Sequence, residues 1–115
     1  MTVTIYHNQR CSKSRETLAL IRDRGIEPEV VLYLETPPDA ATLDHLLTLM
    51  GKEPREVMRT KEAPYKELGL SDPGTTREAL IEAMVNHPVL IERPIVVNGK
   101  KAAMGRPPEA ILAIL

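Results

Sequence analysis

The chain has 115 residues, in which Lys and Arg (15) nearly balance Asp and Glu (16) for a formal net charge of −1 at pH 7. That length gives one domain able to bury its own core, and the charge balance lacks the basic field with which proteins hold nucleic acid. One cysteine excludes an internal disulfide or a multi-cysteine zinc site and points to a reducing, cytoplasmic setting; no secretory signal opens the chain, and no stretch approaches the roughly 18 apolar residues of a membrane span.

Residues 2 to 6 alternate and are β-branched, which predicts a strand, and Ser12 to Arg24 predicts a helix with Leu18, Ile21 and Gly25 down one face and Gly25 as its terminating glycine. Val30 to Leu34 reads as a buried second strand, parallel to the first because the connection is a helical crossover. Pro37-Pro38-Asp39 breaks the strand and offers Asp39 as an N-cap, after which Leu43, Leu46, Leu47 and Met50 recur at helical spacing until Gly51. Pro54 opens a short helix to Met58, another short helix is expected around Tyr65, and Asp72-Pro73-Gly74 is a turn. Thr75 with Glu78 suggests a capping box for a helix to about Asn86, with Leu80, Ala83 and Met84 inward. Asn98-Gly99 between Ile95-Val96-Val97 and residues 100 to 104 predicts an antiparallel hairpin, and Pro108-Glu109 starts a closing helix with Ile111, Leu112 and Leu115 available for packing.

The resulting order is β-α-β, a helical insertion over about 39–87, then β-β-α: an α/β chain with a small mixed sheet and helices on its faces. This is the layout of the thioredoxin-like fold, in which the end of the first strand and start of the first helix is the nucleophilic position. Cys11 stands there. That fold also places a cis-proline at Arg93-Pro94.

Cationic side chains at Arg10, Lys13 and Arg15 surround Cys11, and a helix N-terminus adds partial positive charge; both favour thiolate, the nucleophilic form. The alternative for a lone cysteine is a small buried hydrophobe. Ser14 occupies the second position of a would-be C-x-x-C pair, so a mixed disulfide at Cys11 must be resolved by an external thiol: glutathione, glutaredoxin or thioredoxin. Arg59, Arg93 and Arg106 fall at loop and strand boundaries, and guanidinium forks bind tetrahedral oxyanions bidentately. Arg22, Arg24, Arg55 and Arg77 read as surface residues or surface ion pairs, and Lys13 and Arg15 either tune the thiol or lie on the exposed helix face. Ser12 and Ser14 either cradle an anion with helix N–H groups or cap the helix. His7 either exchanges a proton with the thiol or is a strand-end histidine bonded to backbone, while His45 and His87 lack partners at ligand spacing, so no metal site is expected.

Ile5-Tyr6-His7-Asn8 with Arg10-Cys11-Ser12-Lys13-Ser14-Arg15, Tyr33-Leu34-Glu35-Thr36-Pro37-Pro38, Arg59 ahead of Tyr65 to Leu70, His87 to Val97, and Gly105-Arg106-Pro107-Pro108-Glu109 together resemble the glutaredoxin-coupled arsenate reductase family, over essentially the whole chain. The resemblance implies that Cys11 attacks the arsenic of arsenate, that Arg59, Arg93 and Arg106 bind the oxyanion and the thiol adduct, and that His7 assists the thiol. It implies glutathione as co-substrate, glutaredoxin as reductant of the Cys11–glutathione disulfide, no bound cofactor, and arsenite as product; monomer is the expected state. One departure is Gln9, where members commonly carry proline. Another is that the chain ends at Leu115, before the extension of longer members. Two other readings compete: a Spx-type regulator binding RNA polymerase, whose C-x-x-C switch Ser14 removes, and a glutathione-linked thiol enzyme with a different substrate.

Overall fold

The computed structural model describes residues 2–92 and 94–115. Its contacts form two compact units, one of residues 1–36 and 93–115 and the other of residues 37–92.

The first unit holds a four-stranded sheet of β1 (Val3–His7), β2 (Glu29–Leu32), β3 (Ile95–Asn98) and β4 (Lys101–Met104), in the order β2-β1-β3-β4. β2 runs parallel to β1 with Ile5 opposite Val30, whereas β3 is antiparallel to β1 with Ile5 opposite Val96. The crossover between the parallel pair is α1 (Ser12–Asp23), ended by Gly25 at φ +76°, a left-handed conformation that residues with a side chain avoid. Along β1, Val3, Ile5 and His7 alternate inward; Val3, Ile5 and Val96 pack with Ile21 of α1 and Ile111 of the closing segment into a dry aliphatic core.

The sheet differs from expectation at β2. That strand lies at the sheet edge with Val30 37% exposed, and it stops at Leu32, so Tyr33 and Leu34 belong to the following turn. A continuous apolar run is the signature of a strand but does not say whether one or two neighbours flank it. The hairpin also shifts: Asn98 pairs with Lys101 inside the ladder, leaving Gly99 and Lys100 as the loop, with Gly99 at φ +62°. The closing helix is 3₁₀ over Pro108–Ile114, and Asn98 Nδ2 donates to the Ile114 carbonyl at 2.6 Å, fastening it to the hairpin.

The second unit is helical. α2 (Ala40–Met50) begins as expected, with the Asp39 carboxylate accepting from the Thr42 N–H at 2.7 Å, and ends at Gly51 in the left-handed region. A 3₁₀ turn (Pro54–Val57), α3 (Ala63–Glu67), α4 (Arg77–Asn86) and a second 3₁₀ turn (Pro88–Leu90) follow. Leu43, Leu46 and Leu47 of α2 and Leu80, Ile81 and Met84 of α4 are buried. The cap of α4 is Thr76 rather than Thr75: the Thr76 hydroxyl accepts from the Ala79 N–H, while the Thr75 N–H is already committed to the Asp72 carbonyl. Arg77 pairs with Asp44 at 2.8 Å, tying α4 to α2, and is a surface ion pair as expected. Arg55 is not a solvated surface residue; its guanidinium donates to the carbonyls of Leu70 and Asp72 and holds that loop. No described helix is long and apolar enough to cross a membrane.

Candidate functional site

β1 delivers its last residue, His7, to the inner face of the sheet, and four residues later, at Cys11, the chain enters α1. Cys11 is the N-cap residue of that helix, half-buried, in extended backbone (φ −96°, ψ 122°). Its N–H donates to the Asn8 carbonyl at 3.1 Å and its carbonyl accepts from the Arg15 N–H at 3.0 Å, so both backbone groups of Cys11 are fixed. The N-cap side chain makes no capping hydrogen bond and the first turn carries no acidic residue, so the partial positive charge of the helix end faces the Cys11 position; Glu16, one residue further on, pairs with Lys13 at 3.8 Å.

The intervening loop is tied down at each residue. The Asn8 N–H donates to Ser14 Oγ at 3.1 Å, Asn8 Oδ1 accepts from the Arg10 N–H at 3.0 Å, and the Gln9 carbonyl accepts from Arg15 Nη1 at 2.8 Å. Gln9 lacks the fixed φ of proline, and the Arg15 bridge across its carbonyl supplies a restraint of another kind. Arg15 thus lies on the exposed face of α1 and still acts on the cysteine loop.

Ser14 turns inward. Its side chain is fully buried, and its hydroxyl lies 2.6 Å from His7 Nδ1 while accepting from the Asn8 N–H. With the Asn8 N–H donating to the oxygen, the hydroxyl proton of Ser14 is available to Nδ1. Burial holds the His7 pKa below its ordinary 6.5, and the positive charges of Arg22 and Arg15 push it in the same direction. His7 is therefore a neutral imidazole near pH 7, bonded to a side chain and not to backbone. Ser14 is committed to His7 and the loop, away from the solvent-facing position of an anion cradle, whereas Ser12, at the first helical position, is exposed.

Of the three arginines, the structure places Arg106 beside the helix start. Lys13, Arg106 and Pro107 line an open hollow of about 330 Å³, which brings two cations from distant sequence positions to the first turn of α1. The packing that does this lies at Gly105, which the sequence shows only as part of a motif, and at Thr17, which it does not single out. A β-carbon on Gly105 would stand 2.7 Å from Pro94 Cγ and 3.0 Å from Thr17 Cγ2, and nearer still to Thr17 Oγ1, so only glycine lets the strand end approach α1 this closely. The Gly105 N–H donates to the Pro94 carbonyl at 2.8 Å, and the peptide bond from Arg106 to Pro107 is cis. Ser14, Thr17 and Ile21 form the buried stripe of α1; its polar composition hides it from a search for apolar periodicity.

Arg59 belongs to the helical unit, where it pairs with Glu62 at 3.2 Å and its N–H donates to the Leu90 carbonyl. Arg93, and with it the expected Arg93-Pro94 cis bond, lies outside the described residues. His45 is exposed on α2 and His87 ends α4; among the described residues no cluster of His, Cys, Asp and Glu could hold a metal ion.

Residues 6–114 match the profile described as the ArsC family. Among proteins of similar sequence, YfgD of Escherichia coli strain K12, described as uncharacterized, is 62% identical over 98% of this chain and 96% of its own. An arsenate reductase of Rhizobium meliloti strain 1021 is 50% identical over 100% of this chain and 82% of its own. Among solved structures, an arsenate reductase from Vibrio cholerae superposes with a TM-score of 0.96 at 54% identity, covering 100% of this chain and 98% of its own.

Proposed function

The chain belongs to the ArsC family, and on that footing we propose that it is an arsenate reductase with Cys11 as its nucleophile. The observation that carries this reading is Cys11 as the N-cap of α1, with Lys13 and Arg106 lining a cationic hollow at the same helix turn.

In the proposed reaction the Cys11 thiolate attacks arsenic, an S–As bond forms, and one arsenate oxygen leaves as water after protonation. The thiol of glutathione then attacks Cys11 Sγ; an S–S bond forms, and the S–As electron pair passes to arsenic, reducing As(V) to As(III). Two thiols and arsenate thus give one mixed disulfide, arsenite and water. A glutaredoxin thiol attacks the mixed disulfide and returns Cys11 to its reduced form. Arg106 holds the oxyanion with Lys13, and Arg59 and Arg93 are assigned the same role by their positions in the family motifs. Ser12 offers its hydroxyl at the helix start, while Ser14 acts through His7, orienting the imidazole that burial, Arg22 and Arg15 keep neutral so that it exchanges the thiol proton. The family setting and the single cysteine favour a cytoplasmic monomer with no bound cofactor.

Turnover of arsenate with glutathione and glutaredoxin is the direct test. Wild-type protein is expected to release arsenite, Cys11→Ser to release none, and Arg106→Ala to raise KM about tenfold or more, the value of one charge-assisted contact. Alkylation of Cys11 should show a midpoint below the ~8.5 of a free thiol and should slow when arsenate is added. Folded protein that yields no arsenite would refute the assignment.

A further inference from the structure

A second hollow opens beside the cysteine loop. It has a volume of about 300 Å³ and is lined by His7, Asn8, Gln9, Arg10, Leu32, Leu34 and Glu35, sharing no residue with the hollow of Lys13 and Arg106. One hollow is built from residues just before Cys11, and the other from a residue just after it.

Its chemistry differs from that of an oxyanion site. Arg10 and Glu35 bring one positive and one negative group to the same small space, both exposed, and none of the ion pairs among the described residues takes up either. Leu32 is half-buried and Leu34 is 45% exposed, so an apolar patch accompanies the two charges. The Asn8 and Gln9 backbone is already fixed by Ser14 and Arg15, so the wall on that side is preorganised. A cation, an anion and a short apolar surface suit an amino-acid head group: its carboxylate on the guanidinium, its ammonium on the carboxylate, its methylenes on leucine. A simple oxyanion gains nothing from Glu35.

We infer that this hollow binds the γ-glutamyl head of glutathione. The inference rests on the reading above that glutathione is the co-substrate, and it adds where that tripeptide is held. Arg10 and Cys11 are adjacent, about 3.8 Å apart between α-carbons, so a head group on Arg10 keeps the rest of the tripeptide within its own length of Cys11. The thiol and the oxyanion then reach Cys11 from separate compartments, and the carboxylate of the head group does not compete with the oxyanion for Lys13 and Arg106.

The test is binding of S-methylglutathione, which cannot react, to the full-length Cys11→Ser protein, followed by amide NMR shifts. Shifts are expected at residues 8–10 and 32–35. Arg10→Glu should weaken binding about tenfold, the doubly exchanged Arg10→Glu/Glu35→Arg should recover most of that loss, and S-methylcysteinylglycine, which lacks the head, should bind about as weakly as the single variant. Shifts confined to other segments, an unchanged Kd in Arg10→Glu, or equal affinity for the two peptides would each overturn the inference. Because no turnover is measured, these outcomes are independent of arsenate: binding here with no arsenite formed would leave this site standing and remove the arsenate assignment.

Discussion

The buried His7 imidazole couples proton binding to folding. Its folded pKa lies below the unfolded value of 6.5, so above that value both states are neutral and the group contributes nothing to the pH dependence. As pH falls below it, the unfolded chain takes up a proton that the folded one resists, and stability declines until the folded pKa is passed. We expect the urea midpoint to fall from about pH 7 to about pH 5, and to fall less in His7→Gln, which accepts no proton. Equal slopes in the two proteins would remove His7 as the cause. Cys11 at the helix start and its cationic neighbours in the chain were legible from residue types alone. The inward turn of Ser14 was not, because a serine beside a cysteine in a helix start reads equally as cap, cradle or core until the helix is docked.

Elements with a local stop or start signal lie where the sequence indicates: Gly25 ends α1, Asp39 caps α2, and Gly51 ends it. The shifts occur where two local signals compete, as with Thr75 and Thr76, where the preceding turn takes the Thr75 N–H and the helix begins one residue later. Contact between elements is a different matter. Gly105 is legible as a glycine, yet the reason for it is the Thr17 side chain on a helix more than eighty residues earlier in the chain and the ring of Pro94. Gly105→Ala should cost about 1–3 kcal/mol, the usual range for overpacking, because Thr17 and Pro94 are both buried and neither can swing aside. Thr17→Ala in the same chain removes two of the three close atoms and should return part of that loss. A Gly105→Ala protein with an unchanged urea midpoint would show that the strand end does not approach α1 so closely.

For the molecule as a whole, a chain of this size with no Phe or Trp depends on aliphatic packing. Ile5 is fully buried at the centre of the sheet unit's core, among Val3, Ile21, Val96 and Ile111. Ile5→Ala should cost about 2–5 kcal/mol in urea titration, a large share of the 5–15 kcal/mol that domains typically hold; a loss below about 1 kcal/mol would mean that the core repacks around the gap. The strand and helix order, the thioredoxin-like layout and the position of Cys11 at the first strand–helix junction follow from the sequence alone, because periodicity and caps are written in neighbouring residues. The tertiary structure decided the rest. Only the folded sheet puts β2 at an edge, seats Arg106 beside Lys13, turns Ser14 onto His7, and gathers Arg10, Leu34 and Glu35 around a second hollow. These are contacts across long chain separations, set by how closely two elements pack, and no local pattern of residues encodes that distance.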